Sequence, residues 1–268
     1  MTYKNIKLSV EDGIAHLILA RPDNLNAFSG MDMLDEICDA LDRVNGDDAA
    51  RVLLLSAEGK HFSAGGDLNE MREKRGQFGG PTVELQDRYA QEVQRLPRSF
   101  QRLRVPSIAA VQGAAMGTGC NLTYYCDFTL ASTAARFCES FINLGILPGA
   151  GGAWFLPRRI GPQRAAEMIL TGRMIDGAEA KEIGLALDCV APEELMPRAM
   201  DLARRIASRP PATVRRAKTL LRRSLESSLD GLLDLTAAQQ AICHGTEDHL
   251  TAVQSFLDKN DSPVFTGR

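Results

Sequence analysis

Pro106-Ser-Ile-Ala-Ala-Val-Gln-Gly113, continued by Ala114-Ala-Met-Gly-Thr-Gly-Cys120, decides how this chain folds. A proline opens a short apolar run of strand length. The run ends in small residues, and a helix follows. An uninterrupted apolar strand is one buried on both faces, as in a sheet covered by helices. The glycines let the backbone turn sharply between strand and helix. The same grammar occurs once before. Arg51-Val-Leu-Leu-Leu-Ser56 is a buried strand, and His61-Phe-Ser-Ala-Gly-Gly-Asp67 is its glycine turn.

Outward from these two turns the pattern stays α/β. Ile6 to Val10 and Ile14 to Leu19 read as a hairpin around Glu11-Asp12-Gly13. Met31, Leu34, Ile37, Leu41 and Val44 recur at helical spacing, with Ser29 the expected N-cap and Asn45-Gly46 the expected end. One long polar helix is expected over 83–102, and strands at Asp127 to Ala131 and near Leu187 to Val190. From Gly161 the pattern is otherwise helical, with helices near 193–207, 212–227, 230–243 and 247–258. The repeated strand-then-helix order predicts an α/β fold of stacked β-β-α units. It divides the chain into a core, residues 1–195, and a helical region, residues 196–268.

Composition narrows the function. The 268 residues with 44% hydrophobic content suffice for one large domain with an appended module. A formal charge of −3 argues against nucleic acid as the main partner. The opening MTYKNIKLSV carries lysines where a signal peptide is apolar, and no stretch approaches the roughly 20 apolar residues that span a bilayer. Cys38, Cys120, Cys126, Cys138, Cys189 and Cys243 contain no C-x-x-C pair and read as reduced core residues of a cytoplasmic protein, without structural metal.

The chemistry is expected at the two glycine turns. A helix starting there leaves its first N–H groups unpaired and carries partial positive charge. Two such donors aimed at one point form an oxyanion hole, which stabilises the enolate of a thioester. Tight turns without chemistry, or a phosphate site, are the alternatives, although no phosphate-loop motif is present. His16 and His61 read as structural and loop residues, and His244 and His249 as too far apart to share a metal. Tyr124 and Tyr125 read as packing residues. The run Arg215-Arg216, Lys218, Arg222-Arg223 reads as a solvated or subunit-facing face rather than an RNA site.

At these residues the sequence resembles the enoyl-CoA hydratase/isomerase superfamily, the crotonase fold. The matching segments are Ala20-Arg-Pro-Asp-Asn-Leu-Asn-Ala27, Phe62-Ser-Ala-Gly-Gly-Asp-Leu68, Pro106 to Gly113 with Gly117-Thr-Gly119, Leu144-Gly-Ile-Leu-Pro-Gly-Ala-Gly-Gly152 and Leu170-Thr-Gly172. The resemblance implies a crotonase-like spiral with a C-terminal helical trimerisation region, assembled as a trimer or a dimer of trimers. It implies an acyl-CoA thioester as substrate, with coenzyme A carried by the substrate and no separate cofactor. The oxyanion donors are then the backbone N–H groups of Gly66 and Thr118. Asn26, Ala27, Ala64, Gly65, Asp67 and Leu68 would line the acyl-CoA site, and Arg21 and Lys259 would meet its phosphates. Nucleic acid and membrane are not expected partners.

The sequence departs from that pattern where acid and base should stand. The positions resembling the two hydratase glutamates hold Asn121 and Phe141. Asn hydrogen-bonds water but takes no proton, and Phe does neither. The turn where many isomerases carry an acid is Gly149-Ala150. Glu139 is the remaining candidate: on an extended stretch it would share a side with Phe141 and face the pocket, its carboxyl raised by apolar neighbours. The reaction expected is hydration or double-bond isomerisation of an enoyl-CoA, in fatty-acid or aromatic-acid breakdown. The alternative is an acyl-CoA binder without catalysis.

Overall fold

The computed structural model describes residues 3–260 and 263–268. The first hairpin pairs β1 (Ile6–Glu11) with β2 (Ile14–Leu19) antiparallel. Its turn residues Asp12 and Gly13 both have positive φ, the geometry that matches strand twist in a two-residue hairpin. Helix α1 (Asp32–Gly46) carries the chain back to β3 (Val52–Ala57), parallel to β2. Met33, Leu34, Ile37, Cys38, Leu41 and Val44 form its buried stripe. Ser29 does not cap this helix. Its hydroxyl donates to Asp67 Oδ2 at 2.6 Å instead, and the N-cap is Met31.

After β3 come the short helix α2 (Leu68–Glu73), α3 (Thr82–Arg88), one π-helical turn (Tyr89–Val93) and α4 (Arg95–Arg102). The single helix expected over 83–102 is therefore broken. Pro97 has no N–H to give the carbonyl of residue 93, and the ladder changes register just before it. Then β4 (Ser107–Val111) leads to β5 (Ala114–Met116) and α5 (Thr118–Tyr125). Next, β6 (Phe128–Ser132) leads to β7 (Arg136–Cys138), α6 (Gly152–Ile160) and α7 (Pro162–Thr171). Finally β8 (Met174–Asp176) and α8 (Gly177–Glu182) precede β9 (Asp188–Val190).

The strands sort into two sheets among the described residues: β1-β2-β3-β4-β6-β9, parallel after the hairpin, and β5-β7-β8. Successive turns of the spiral feed both sheets, and a bridge from Ser63 to Ala115 extends the smaller sheet toward the first glycine turn. This is the expected stack of β-β-α units. Alternation divides the larger sheet's side chains between two cores. Leu53, Leu55, Ala109, Val111 and Ala131 face α1, α4 and α5, while Val52, Leu54, Ile108, Ala110 and Leu130 face the other way. Leu195, Ala199, Ala203 and Ala207 of α9 (Leu195–Ala207) cover that second face. The helices that stand apart from the sheet begin at α10 (Pro211–Arg223), followed by α11 (Leu229–His244) and α12 (Glu247–Leu257).

Part of the basic run on α10 turns inward on its own chain. Lys218 is buried, 2.7 Å from Asp127 Oδ2, with Arg222 also on Asp127, and Arg215 donates to the carbonyl of Ala50. Lys218, Arg222 and Arg215 depart from the expected solvated or subunit-facing stripe because these long cations satisfy carbonyls and a carboxylate at the edge of the core, whereas Arg223 is exposed as expected. Leu221, Leu229 and Phe256, by contrast, are exposed at 72%, 71% and 86%.

Candidate active site

The two glycine turns are locked together by their backbones. Phe62 and Ser63 donate to the carbonyl of Ala114, and Met116 donates back to Ser63. Gly65 (φ +81°) lies flat on the second turn: a Cβ there would stand 2.4 Å from the Met116 oxygen and 3.3 Å from the Thr118 nitrogen. Gly119 lies as close to the Ser63 carbonyl, where a Cβ would stand at 2.5 Å. Gly117 (φ 50°, ψ −119°) makes the reversal into α5 that a side chain would strain. These approaches explain why the sequence places small residues here.

Gly66 and Thr118 line one cavity. Among the described residues, neither backbone N–H donates a hydrogen bond. That of Gly66 lies between the bridging bonds of Gly65 and Asp67 to Phe28, and that of Thr118 opens a helix. Met71, Phe78, Val93, Phe141, Ile146 and Ala150 supply apolar walls, and Gln77 and Tyr89 are its longer polar side chains. The cavity is small, about 30 Å³. A hollow of about 680 Å³ lies elsewhere, between α4, α6, α9 and α10, and neither glycine turn reaches it. Its size makes it no better a site for thioester chemistry, because the two glycine turns and their unpaired backbone donors lie outside it.

The remaining predicted residues divide clearly. Asp67 caps α2, accepting from the amides of Asn69 and Glu70. The Ser29 hydroxyl and these amides hold its carboxyl below the usual range. Asn26 is fully buried and ties its own loop: its Oδ1 accepts from Arg21 N, and its Nδ2 donates to the carbonyls of Glu58 and His61. Ala64 N donates to Leu25, Ala27 is buried in the same loop, and Leu68 is exposed at 60% on α2. Arg21 sits at the start of this loop. Lys259, at positive φ beyond α12, makes no described contact with the two turns. His244 and His249, expected apart, bond each other at 3.1 Å across the α11–α12 turn.

Glu139 does not line the cavity. The extended stretch ends at Cys138, and Phe141 is helical at φ −59°, ψ −45°. The two side chains therefore part. Phe141 reaches the cavity wall, while Glu139, 1% exposed, turns toward α5 and α6. There it accepts from the Tyr124 hydroxyl at 2.9 Å, and Asn121 Nδ2 donates to the same hydroxyl. Burial pushes the Glu139 carboxyl up to about 7, against the hydrogen bonds of Tyr124 and Cys120. Gly152 closes over this group: a Cβ would stand 2.8 Å from Glu139 Oε2, 2.9 Å from Tyr124 Oη and 3.0 Å from Asn121 Nδ2. Asn121 is fully buried with it: its Nδ2 is engaged by the Tyr124 hydroxyl, while its Oδ1 has no hydrogen-bond partner among the described residues.

Tyr89 and Gln77 were not legible as site residues. The only sequence signal for Tyr89 is a lone aromatic in the polar stretch Glu84 to Arg95.

Comparison with known proteins covers nearly all of the chain. The family model described as Enoyl-CoA hydratase/isomerase matches residues 9–268. The chain is 36% identical over 260 residues to a crotonyl-CoA hydratase of Syntrophomonas wolfei, covering 97% of each. It is 34% identical over 259 residues to a 1,2-epoxyphenylacetyl-CoA isomerase of Escherichia coli, again covering 97% of each. A crystal structure of an enoyl-CoA hydratase from Bacillus anthracis superposes with a TM-score of 0.91 at 31% identity, covering 99% of this chain and 100% of that one. The chain belongs to the enoyl-CoA hydratase/isomerase family.

Proposed function

We propose that this enzyme binds an enoyl-CoA with its thioester oxygen between the N–H groups of Gly66 and Thr118, and that it stabilises the enolate there. The observation that carries this is the pair of undonated amides on one cavity, held by turns that are in backbone contact. Its reaction is double-bond isomerisation or another enolate step in preference to efficient hydration. Asn121 is engaged with Tyr124, Phe141 is apolar, and Glu139 stands behind Gly152, so the cavity offers no pair of carboxylates to activate water. Oxyanion stabilisation needs no resident cofactor, and coenzyme A arrives as part of the substrate. Arg21 and Lys259 remain the candidates for its phosphates, Lys259 reaching across a subunit boundary.

The assembly is a trimer or a dimer of trimers in the cytoplasm. The exposed apolar side chains of α10, α11 and α12 support a self-complementary contact, and the free cysteines suit a reducing compartment. The test of the site is Gly66→Pro, which removes one donor. It is expected to lower turnover of an enoyl-CoA by about 100-fold or more. Gly66→Ala keeps the donor and presses only on the movable end of Met71 and the rim of Phe78, so it retains most activity. A folded Gly66→Pro enzyme with unchanged activity contradicts the assignment.

A further inference from the structure

Once Asn121, Phe141 and Ala150 are set aside, the cavity at Gly66 and Thr118 keeps one ionisable side chain among the described residues, Tyr89. Three features place it there for a purpose. It opens the π-helical turn Tyr89–Val93, a distortion that costs regular hydrogen bonding and recurs at functional positions. Its ring is seated against the turn after Pro148, where Gly149 has no Cβ to obstruct it; one would stand 2.6 Å from Tyr89 Cε1. Its hydroxyl forms no hydrogen bond among the described residues and is not sealed in the core, so it is free to meet a bound ligand. Tyr124 and Tyr125, by contrast, both engage their hydroxyls inside the core, on Glu139 and on the carbonyl of Ala150.

Accepting the oxyanion reading above, we propose that Tyr89 is the acid/base of this cavity: its phenol delivers a proton to the carbon of the bound enolate, and its phenolate removes that proton in the reverse direction. In delivery, the Tyr89 O–H bond breaks, a C–H bond forms at the α-carbon, the enolate electron pair goes into that bond, and the phenolate left behind regains a proton from solvent water. The walls around the ring are uncharged: Met71 and Phe78 after the first turn, Thr118 on α5, then Phe141, Ile146 and Ala150. The neighbouring cation Arg88 is turned to the carbonyls of Gln77 and Gly79. Burial therefore acts alone and raises the Tyr89 phenol above its ordinary value. The phenol is then neutral across the physiological range, a proton donor at rest and a base only in its minor form.

That state has a signature which separates Tyr89 from Glu139. The experiment follows deuterium entering the α-carbon of butyryl-CoA in heavy water, by mass spectrometry, with the full-length protein at about pH 6 to 9. If phenolate is the base, the wild-type rate rises about tenfold per pH unit through this range without levelling near neutrality. Tyr89→Phe lowers it by about 100-fold or more while butyryl-CoA still binds. Glu139→Gln keeps the wild-type slope. The proposal is overturned if Tyr89→Phe exchanges at the wild-type rate, if the profile levels near neutrality and Glu139→Gln abolishes exchange, or if the wild type binds butyryl-CoA without exchanging it. A wild type that does not bind butyryl-CoA overturns the oxyanion reading and this proposal with it.

Discussion

The Tyr124 hydroxyl donates to Glu139 Oε1 over 2.9 Å in a site that neither side chain shares with solvent. Burial raises Glu139 to about 7 in the fold, whereas an unfolded chain leaves it in the ordinary glutamate range near about 4. A carboxyl raised by folding favours the native state while protonated. Its contribution is complete below the unfolded value and is lost as pH rises through about 7. Wild type should therefore lose stability relative to Glu139→Gln between about pH 5 and about pH 8, by up to about 3 kcal/mol. Urea titrations of both proteins at several pH values measure the difference. A pH-independent difference would show that Glu139 is ionised throughout.

Gly152 closes over the same group, and its substitution tests how tightly that group is held. A Cβ at 2.8 to 3.0 Å from three polar atoms of Glu139, Tyr124 and Asn121 cannot be placed without moving one of them. Gly152→Ala should destabilise the protein by about 1–3 kcal/mol, the usual cost of overpacking. Combining it with Glu139→Ala should recover much of that loss. A thermal melt of the two variants decides the point.

Lys218 and Asp127 form the pair that fastens α10 to the core. Burial lowers Lys218 to about 8 against the attraction of Asp127, so the charge depends on its partner. Asp127→Asn leaves that cation buried without its carboxylate, a change that costs about 3–5 kcal/mol. The melting temperature should fall by roughly 10 °C. A fall of only a degree or two would mean the pair is fully solvated.

Hydration of crotonyl-CoA should be slow, by about 10²-fold or more relative to a two-glutamate enzyme, since each general acid or base is worth that much. Asn121→Glu with Phe141→Glu should raise it. The carboxyl introduced at position 121 would be placed against Glu139, so adding Glu139→Gln should raise it further by removing a second buried charge. Steady-state rates for the wild type and both variants check this. Fast hydration by the wild type contradicts the reading of the pocket.

Most of this fold was legible because the strongest signals are local. The glycine turns, the α1 stripe, the two-sided strands and the late helices all follow from period and backbone freedom. The placement of Glu139 was not legible, because it depends on one backbone detail. The strand before Glu139 stops at Cys138, and a helical turn at Phe141 sends the two side chains to different places. Tyr89 was hidden for a similar reason. It enters the cavity through a π turn, and the polar residues around it carry no pattern that marks such a turn. The inward turn of Lys218 and Arg215 leaves no mark in the sequence, because their partners, Asp127 and the carbonyl of Ala50, are distant along the chain.

In the proposed site the amides of Gly66 and Thr118 hold a thioester oxygen. The most direct measurement is a crystal structure of the wild-type protein with butyryl-CoA. The expected result places the carbonyl oxygen about 2.7–3.1 Å from both backbone nitrogens, with the acyl chain between Phe141 and Tyr89. A thioester bound in the hollow between α6 and α9, or with its oxygen beyond hydrogen-bond reach of either amide, would contradict it.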